Sequence, residues 1–410
     1  MSTAVKTAVA QDDVTASWAP GSTLTSRVAK LVPRIRELAA ETERNRRVSD
    51  EIIEALRLAG MWRVYVPKEY GGSEETILEV VRAIRHVATA CPSTAWVIGV
   101  LCAHPFITSL YSREMQDEFW ADGPDTLAST SGLPITRGRI VEGGLRVSGR
   151  FPFSSGSVHA SWAMVGVSVP DRSQTNSERF RTPYFCHVPR SDYEIEDDWH
   201  VMGLAGTASR TLIFDDVFIP SYRIEMSGAM VNRFTKGEGL HEGPLWTAGY
   251  GATIGTALTP VFLGAADAML ELITGKVRGR TVPGTRIPTN SVPNSMRLAE
   301  STLEMRACTL LWEDYIKSID DRAAAGIMPD EDFTANAGAT GVYVQELATR
   351  TVDRLFAVGG GTSIRLDSPI QRYWRDCHTG RSHIANEYDA SAQAFGRHLL
   401  GLPAAGRWGA

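Results

Sequence analysis

The chain has 410 residues, 43% of them hydrophobic and 22% charged, with a net charge of −5. That is the composition of a globular protein with room for two or three units around a large core, and its mild acidity gives no reason to expect nucleic acid or an anionic membrane surface as partner. The five cysteines are scattered, with neither a CxxC pair nor zinc spacing, and read as reduced, buried thiols of a cytoplasmic protein; no apolar signal-peptide stretch is seen at the N-terminus.

Residues 1–23 are small and polar, with Pro20 and Gly21, and are expected to form a flexible arm. Helical spacing then begins at Val28, Leu31, Ile35 and Leu38, with Pro33 near the start of the pattern. Ser49, followed by Asp50 and Glu51, predicts an N-cap, and Gly60 a C-terminal stop. Further helices are predicted over 77–90 and 94–111. The second is the most apolar in the chain, carries His104 and Pro105, and is too short to span a bilayer. Ser112 is expected to cap a short helix with Glu114, Asp117 and Glu118. Residues 24–122 thus read as a helical domain.

The period then changes. A Gly143-Gly144 turn inside 140–147 predicts a hairpin. Residues 162–169 are a nearly continuous apolar run, as in a buried strand; 183–188 and 210–219 are further strands, and 171–182 a polar loop. Residues 123–235 read as a β domain. Helical periodicity resumes near Leu245 and runs to Leu402, broken at Pro283-Gly284, Pro288, Pro293, 326–329 and Gly359-Gly360-Gly361. Residues 236–410 are therefore expected to be a bundle of four or more helices. The α, β, α order predicts an α+β protein rather than a doubly wound sheet.

Several motifs carry a resemblance to the acyl-CoA dehydrogenases. The segment from Met202-Gly203-Leu204-Ala205-Gly206-Thr207 through Asp215-Asp216-Val217 to Pro220 resembles "MGxRGTxSxxLxFxDVxVP". Arg280-Thr281-Val282-Pro283-Gly284 resembles "RxxFG", and Gly359 to Asp376 resembles "GGxG…PxxRxxRD". The resemblance spans roughly 25–402. It implies an N-terminal helical domain, a middle β-barrel or sandwich domain and a C-terminal four-helix bundle. The departures point elsewhere in the same fold. Ser129 to Pro134 replaces "TEPxAGSD", Phe153-Ser154-Ser155 replaces "WIT", and Ile384 occupies the slot of the dehydrogenase's catalytic Glu. Phe151 to Trp162 resembles "WxFxSGxxHxxW", and Arg375-Asp376 to His383 resembles "RDxHxxxSH". Both belong to the oxygenase components of two-component (group D) flavin-dependent monooxygenases.

That resemblance implies reduced FMN or FAD (FMNH2 or FADH2) with O2 as co-substrate. A C4a-hydroperoxide would hydroxylate an aromatic, phenolic or polycyclic small molecule. No GxGxxG fingerprint offers a nicotinamide site, because the triple glycine follows a helix, so a separate flavin reductase is the expected partner. A homotetramer with flavin held between subunits is implied as well. His383 is the leading catalytic candidate, since an imidazole moves protons near neutrality; an isolated His of this kind is otherwise most often a satisfied structural residue. His104 is the candidate phenol base. Ser155 matches the position whose hydroxyl meets flavin N5 without adding charge, and Ser154 stays open as its alternative because a one-residue shift swaps strand faces. Arg280 would grip the flavin phosphate, with Arg278 competing. Phe153, Trp162, Thr207 and Ser209 would wall the ring or substrate, and Gly360 would sit at the flavin tail; His159 matches a motif position with no assigned role. His378 and His383, five residues apart, do not share a helix face, so no metal site is expected. Rival readings are an acyl-CoA dehydrogenase with a displaced base, an N-oxygenase of the same fold, or a non-catalytic flavin binder.

Overall fold

The computed structural model describes residues 21–170, 181–281 and 291–402. Most of the expected arm, most of the 171–182 loop, and the breaks at Pro283-Gly284 and Pro288 lie outside them.

Six helices open the chain: α1 (Leu24–Ala29), α2 (Val32–Asn45), α3 (Asp50–Leu58), α4 (Ile77–Ala88), α5 (Pro92–Ser109) and α6 (Arg113–Phe119). The periodic stretch around Pro33 is two helices rather than one. Proline has no N–H to offer the carbonyl of residue 29 and its ring crowds that turn, so α1 stops and Pro33 sits in the first turn of α2. Ser49 caps α3 by accepting from the Ile52 amide. Ser112 stands at the cap position of α6 but makes no capping bond, and its hydroxyl is buried without a partner. Helix α5 is apolar and buried on all sides, the mark of a central helix.

Seven strands follow: β1 (Ala128–Val141), β2 (Gly144–Ser154), β3 (Trp162–Pro170), β4 (Arg181–Pro189), β5 (Glu194–Glu196), β6 (Arg210–Pro220) and β7 (Ile224–Met226). They form one sheet in the order β5-β6-β2-β1-β3-β4-β7. Among the described residues only the β1–β3 pair is parallel. The β1–β2 hairpin turns at Glu142-Gly143, with Val141 paired to Gly144 and Gly143 at φ 78°, which its lack of a Cβ permits. Phe151, Val165, Leu212 and Phe214 are among the buried side chains of the sheet's own apolar core.

Helices resume with α7 (Ser227–Asn232), α8 (Pro244–Gly255), α9 (Thr259–Arg278), α10 (Val292–Ala324), α11 (Glu331–Gly359), α12 (Pro369–Arg381) and α13 (Tyr388–Leu399). A second, larger apolar core runs from Leu24 to Cys377 and joins the opening helices to the closing ones. Gly264 makes that junction close: a Cβ there would meet the Arg85 carbonyl oxygen at 2.3 Å, so α9 lies directly on α4.

Candidate active site

The site is built where α5, the end of β2, the 204–209 loop and the end of α12 meet. Phe153, exposed and left-handed at φ 64°, twists the end of β2. The twist decides which way the next two residues point. Ser154 is turned into the interior and donates to Ser129 Oγ at 2.9 Å. Ser155 points the other way, its Oγ lying 2.7 Å from Ser209 Oγ and accepting from the Trp96 indole N–H at 3.2 Å. Ser209 Oγ is in turn 2.7 Å from Thr207 Oγ1, which donates to the Leu204 carbonyl at 2.8 Å. All three hydroxyls are buried. The Gly156 amide donates to the Thr207 carbonyl at 2.8 Å and locks the two loops together.

The loop that carries this row is itself constrained. Leu204 (φ 52°) and Ala208 (φ 46°) are non-glycine residues in the left-handed region, a strain that surrounding contacts must hold. The Leu204 amide donates to Asp376 Oδ1 at 2.6 Å, and its carbonyl also accepts from the Trp199 indole at 3.0 Å. Arg375 donates to the Met202 carbonyl and pairs with Glu43 at 2.5 Å. Gly206 seats against α2: a Cβ would meet Thr42 Cγ2 at 2.4 Å. The "MG…GT" and "RD" motifs are therefore two halves of one clamp.

His383 lies two residues beyond α12, exposed, with its ring 5.4 Å from that of Trp96 at 75°. Its Nδ1 accepts from the Ala385 amide at 3.2 Å, so the neutral ring carries its proton on Nε2. Ile384 occupies the following turn, and no carboxylate stands at the dehydrogenase base slot; Glu387 is exposed at the start of α13.

His104 lies on α5 eight residues past Trp96, about 12 Å along the helix axis. Its Nδ1 is 2.5 Å from the Ala128 carbonyl and 3.3 Å from Thr130 Oγ1. Since a carbonyl only accepts, Nδ1 bears the proton and Nε2 the lone pair. Burial pushes the ring down to about 4, with the carbonyl bond opposing, so it is neutral at ordinary pH. Behind it, Thr108 Oγ1 bridges the His104 carbonyl (3.4 Å) and His187 Nε2 (3.0 Å). A cavity of about 260 Å³ is lined by Phe106, Leu110, Arg233, His241, Trp246 and Tyr250, among others, and His104 is not part of its lining.

The other sequence candidates stand apart from this row. Phe153 meets Trp199 edge-on at 6.1 Å. Trp162 packs on Phe119, with the Arg223 guanidinium 5.2 Å over its ring. His159 is buried toward Asp50 and pushed down to about 4, chiefly by burial. Arg280 donates to the carbonyls of Val358 and Gly359, next to left-handed Gly360, while Lys276 reaches Thr362 and Ser363. Arg278 is exposed. Trp96 and Asp376 were not singled out for chemistry in the sequence: an indole inside an all-apolar helix has no period of its own, and the Asp is visible only as part of a motif.

No single helix among the described residues is long and apolar enough to cross a membrane. Residues 24–122 match the family model "Acyl-CoA dehydrogenase, N-terminal domain" and residues 256–388 match "Acyl-CoA dehydrogenase, C-terminal domain". The p-hydroxyphenylacetate 3-hydroxylase oxygenase component of Acinetobacter baumannii is 33% identical, over 93% of this chain and 90% of the relative. The FADH(2)-dependent resorcinol hydroxylase oxygenase component of a Rhizobium strain is 32% identical, over 95% and 97%. Among solved structures, the HsaA monooxygenase of M. tuberculosis superposes with a TM-score of 0.86 at 31% identity, covering 93% of this chain and 98% of that one. These relatives are oxygenases, which sets the dehydrogenase reading aside. The chain belongs to the oxygenase components of the flavin-dependent monooxygenases built on the acyl-CoA dehydrogenase fold.

Proposed function

We propose that this monooxygenase hydroxylates a small aromatic molecule, phenolic or polycyclic, using reduced FMN or FAD delivered by a separate reductase, together with O2. The observation that carries the reading is the wall formed by Trp96, Ser155, Ser209 and Thr207, uncharged and buried, with an imidazole at its rim where a dehydrogenase needs a carboxylate.

This donor set fits a flavin. A flat ring with polar edges suits buried hydroxyls that add no charge, and a phosphorylated tail suits Arg280 and Lys276 beside the Gly359-Gly360-Gly361 turn. When bound, the reduced flavin supplies the electrons that activate O2. Within that frame each residue has a role. Ser155, not Ser154, faces the ring edge at N5. Thr207 and Ser209 hold the Ser155 hydroxyl in place. His383 holds or moves a proton at Nε2 near the reacting edge. His104 Nε2 takes the substrate's hydroxyl proton, its Nδ1 held by Ala128. Closed packing around the hydroxyl row keeps water from the reacting atoms.

The assembly is a homotetramer. Val292, Met296, Leu303 and Leu310 form an exposed apolar stripe along α10, each more than half exposed, a face that another copy would cover. Subunit contact also brings Arg280 of one protomer toward the hydroxyl row of another. The protein works in the cytoplasm, consistent with its five buried, unpaired cysteines. Residues 24–122, 123–235 and 236–410 act as its three domains. The direct test is to supply reduced flavin and O2 with a panel of phenols and to measure product formed per flavin oxidised. Stoichiometric product from one phenol supports the reading; flavin oxidation without product from any member opposes it.

A further inference from the structure

We infer that the buried hydroxyl row has a fixed direction, and that this makes Ser155 a hydrogen-bond acceptor selective for the reduced flavin. The inference rests on the reading that Ser155 faces N5, and it deepens that reading.

The direction follows from counting protons. The Trp96 indole can only donate, and it donates to Ser155 Oγ at 3.2 Å. At the other end the Leu204 carbonyl can only accept, and Thr207 Oγ1 lies 2.8 Å from it. Each hydroxyl between them has one proton. If Thr207 gives its proton to Leu204, Ser209 must give its own to Thr207 across 2.7 Å. Ser155 must then give its proton to Ser209 across 2.7 Å. Every contact in the row is satisfied in this arrangement.

The opposite arrangement runs Thr207 to Ser209 to Ser155. It leaves Thr207 and the Leu204 carbonyl oxygen facing each other at 2.8 Å with no proton between them. Buried oxygen atoms at that distance without a hydrogen bond are costly. Leu204 cannot move away, because its amide is held by Asp376 and its carbonyl by the Trp199 indole. The row is therefore pinned at both ends by groups that cannot reverse.

Ser155 is left with a lone pair and no proton to offer. In a reduced flavin N5 carries a hydrogen and donates; in an oxidised flavin N5 is an acceptor. An acceptor facing N5 bonds the first and opposes the second. The row thus makes the site take reduced flavin from solution and release it once oxidised, as an oxygenase fed by a separate reductase requires. Thr207 and Ser209 are positioning residues in this scheme; Ser155 alone meets the flavin.

The test is the ratio of dissociation constants for oxidised and reduced FMN or FAD, measured by anaerobic titration of the intact protein without substrate turnover. Thr207→Val removes the outlet to Leu204 and frees Ser209 to donate to Ser155, so Ser155 regains a proton for oxidised N5. Ser209→Ala interrupts the row and frees Ser155 directly. Both variants should lower the ratio of oxidised to reduced dissociation constants about tenfold, the effect of exchanging one hydrogen bond for one clash. Thr207→Ser keeps the hydroxyl and should keep the wild-type ratio. If the ratio holds in Thr207→Val and Ser209→Ala but changes in Ser155→Ala, Ser155 meets the flavin and the fixed direction is wrong. If Ser155→Ala also leaves it unchanged, Ser155 does not face N5 and the underlying site reading fails with it.

Discussion

The Leu204 amide donates to Asp376 Oδ1 at 2.6 Å, and with the Arg375 bond to the Met202 carbonyl it ties the two halves of the site together. Asp376 sits on α12, which leads to His383. Leu204 opens the loop that carries Thr207 and Ser209. From Ser209 the contacts pass to Ser155, to Trp96 and back to the His383 ring. A closed loop of contacts therefore sets the spacing between hydroxyl row and imidazole.

Asp376 should also leave a signature in stability. Burial pushes its carboxyl up to about 7, against the Leu204 amide and the Arg372 and Arg375 charges, and Oδ2 is buried without a partner. The folded state then holds a proton that the unfolded chain releases near pH 4, so this group's contribution falls as pH rises from about 4 to 7. Asp376→Asn keeps an acceptor for Leu204 and cannot ionise. Urea unfolding across that range should show a flatter pH dependence in the variant than in the wild type; parallel curves would refute the assignment.

His104 is predicted to act as an acceptor over the whole working range, since its ring protonates only near pH 4. Hydroxylation of a phenol should show no acid limb from this residue above about pH 5. His104→Ala should move the rising limb of the pH–rate profile upward, toward the pKa of the phenol itself. An unmoved profile would remove His104 from proton transfer.

His383→Ala should separate flavin oxidation from hydroxylation. Product per flavin oxidised should fall about 100-fold, the scale of a lost proton-transfer group, while flavin oxidation by O2 continues. Product assays run alongside peroxide assays decide it. Full coupling in the variant would assign His383 only its cap on the Ala385 amide.

Gly206 carries a packing prediction. A Cβ there would fall 2.4 Å from Thr42 Cγ2 and 3.0 Å from Ser93 Cβ, between α2 and α5. Gly206→Ala should cost ~1–3 kcal/mol in urea unfolding and weaken flavin binding by shifting the Thr207 hydroxyl. An unchanged midpoint would show that the loop relaxes freely.

Much of this was legible in the sequence because periodicity reports burial. The switch from helical to strand pattern fell close to β1, and Gly143 marked its hairpin. The split at Pro33 was missed because the apolar period runs on through the break. The directions in which Ser154 and Ser155 point were out of reach, since they depend on the left-handed turn at Phe153, which no local composition announces. Trp96 was hidden for a related reason: on a helix apolar on every face, a residue with one polar atom aimed at a site looks like core. The Arg280 guanidinium donates to the carbonyls of Val358 and Gly359, a contact that the motif alone does not announce.

Reduced flavin held at this hydroxyl-lined site should pass its electrons to O2 and oxygenate an aromatic substrate. The most direct measurement is rapid mixing of the anaerobic complex of protein and reduced FMN or FAD with oxygenated buffer, following oxidised flavin by absorbance and product by chromatography. A clear lag before oxidised flavin forms is expected, with hydroxylated product when a matching phenol is present. Oxidised flavin forming as fast as in free solution, with bound FAD reduced instead by an acyl-CoA, would contradict it.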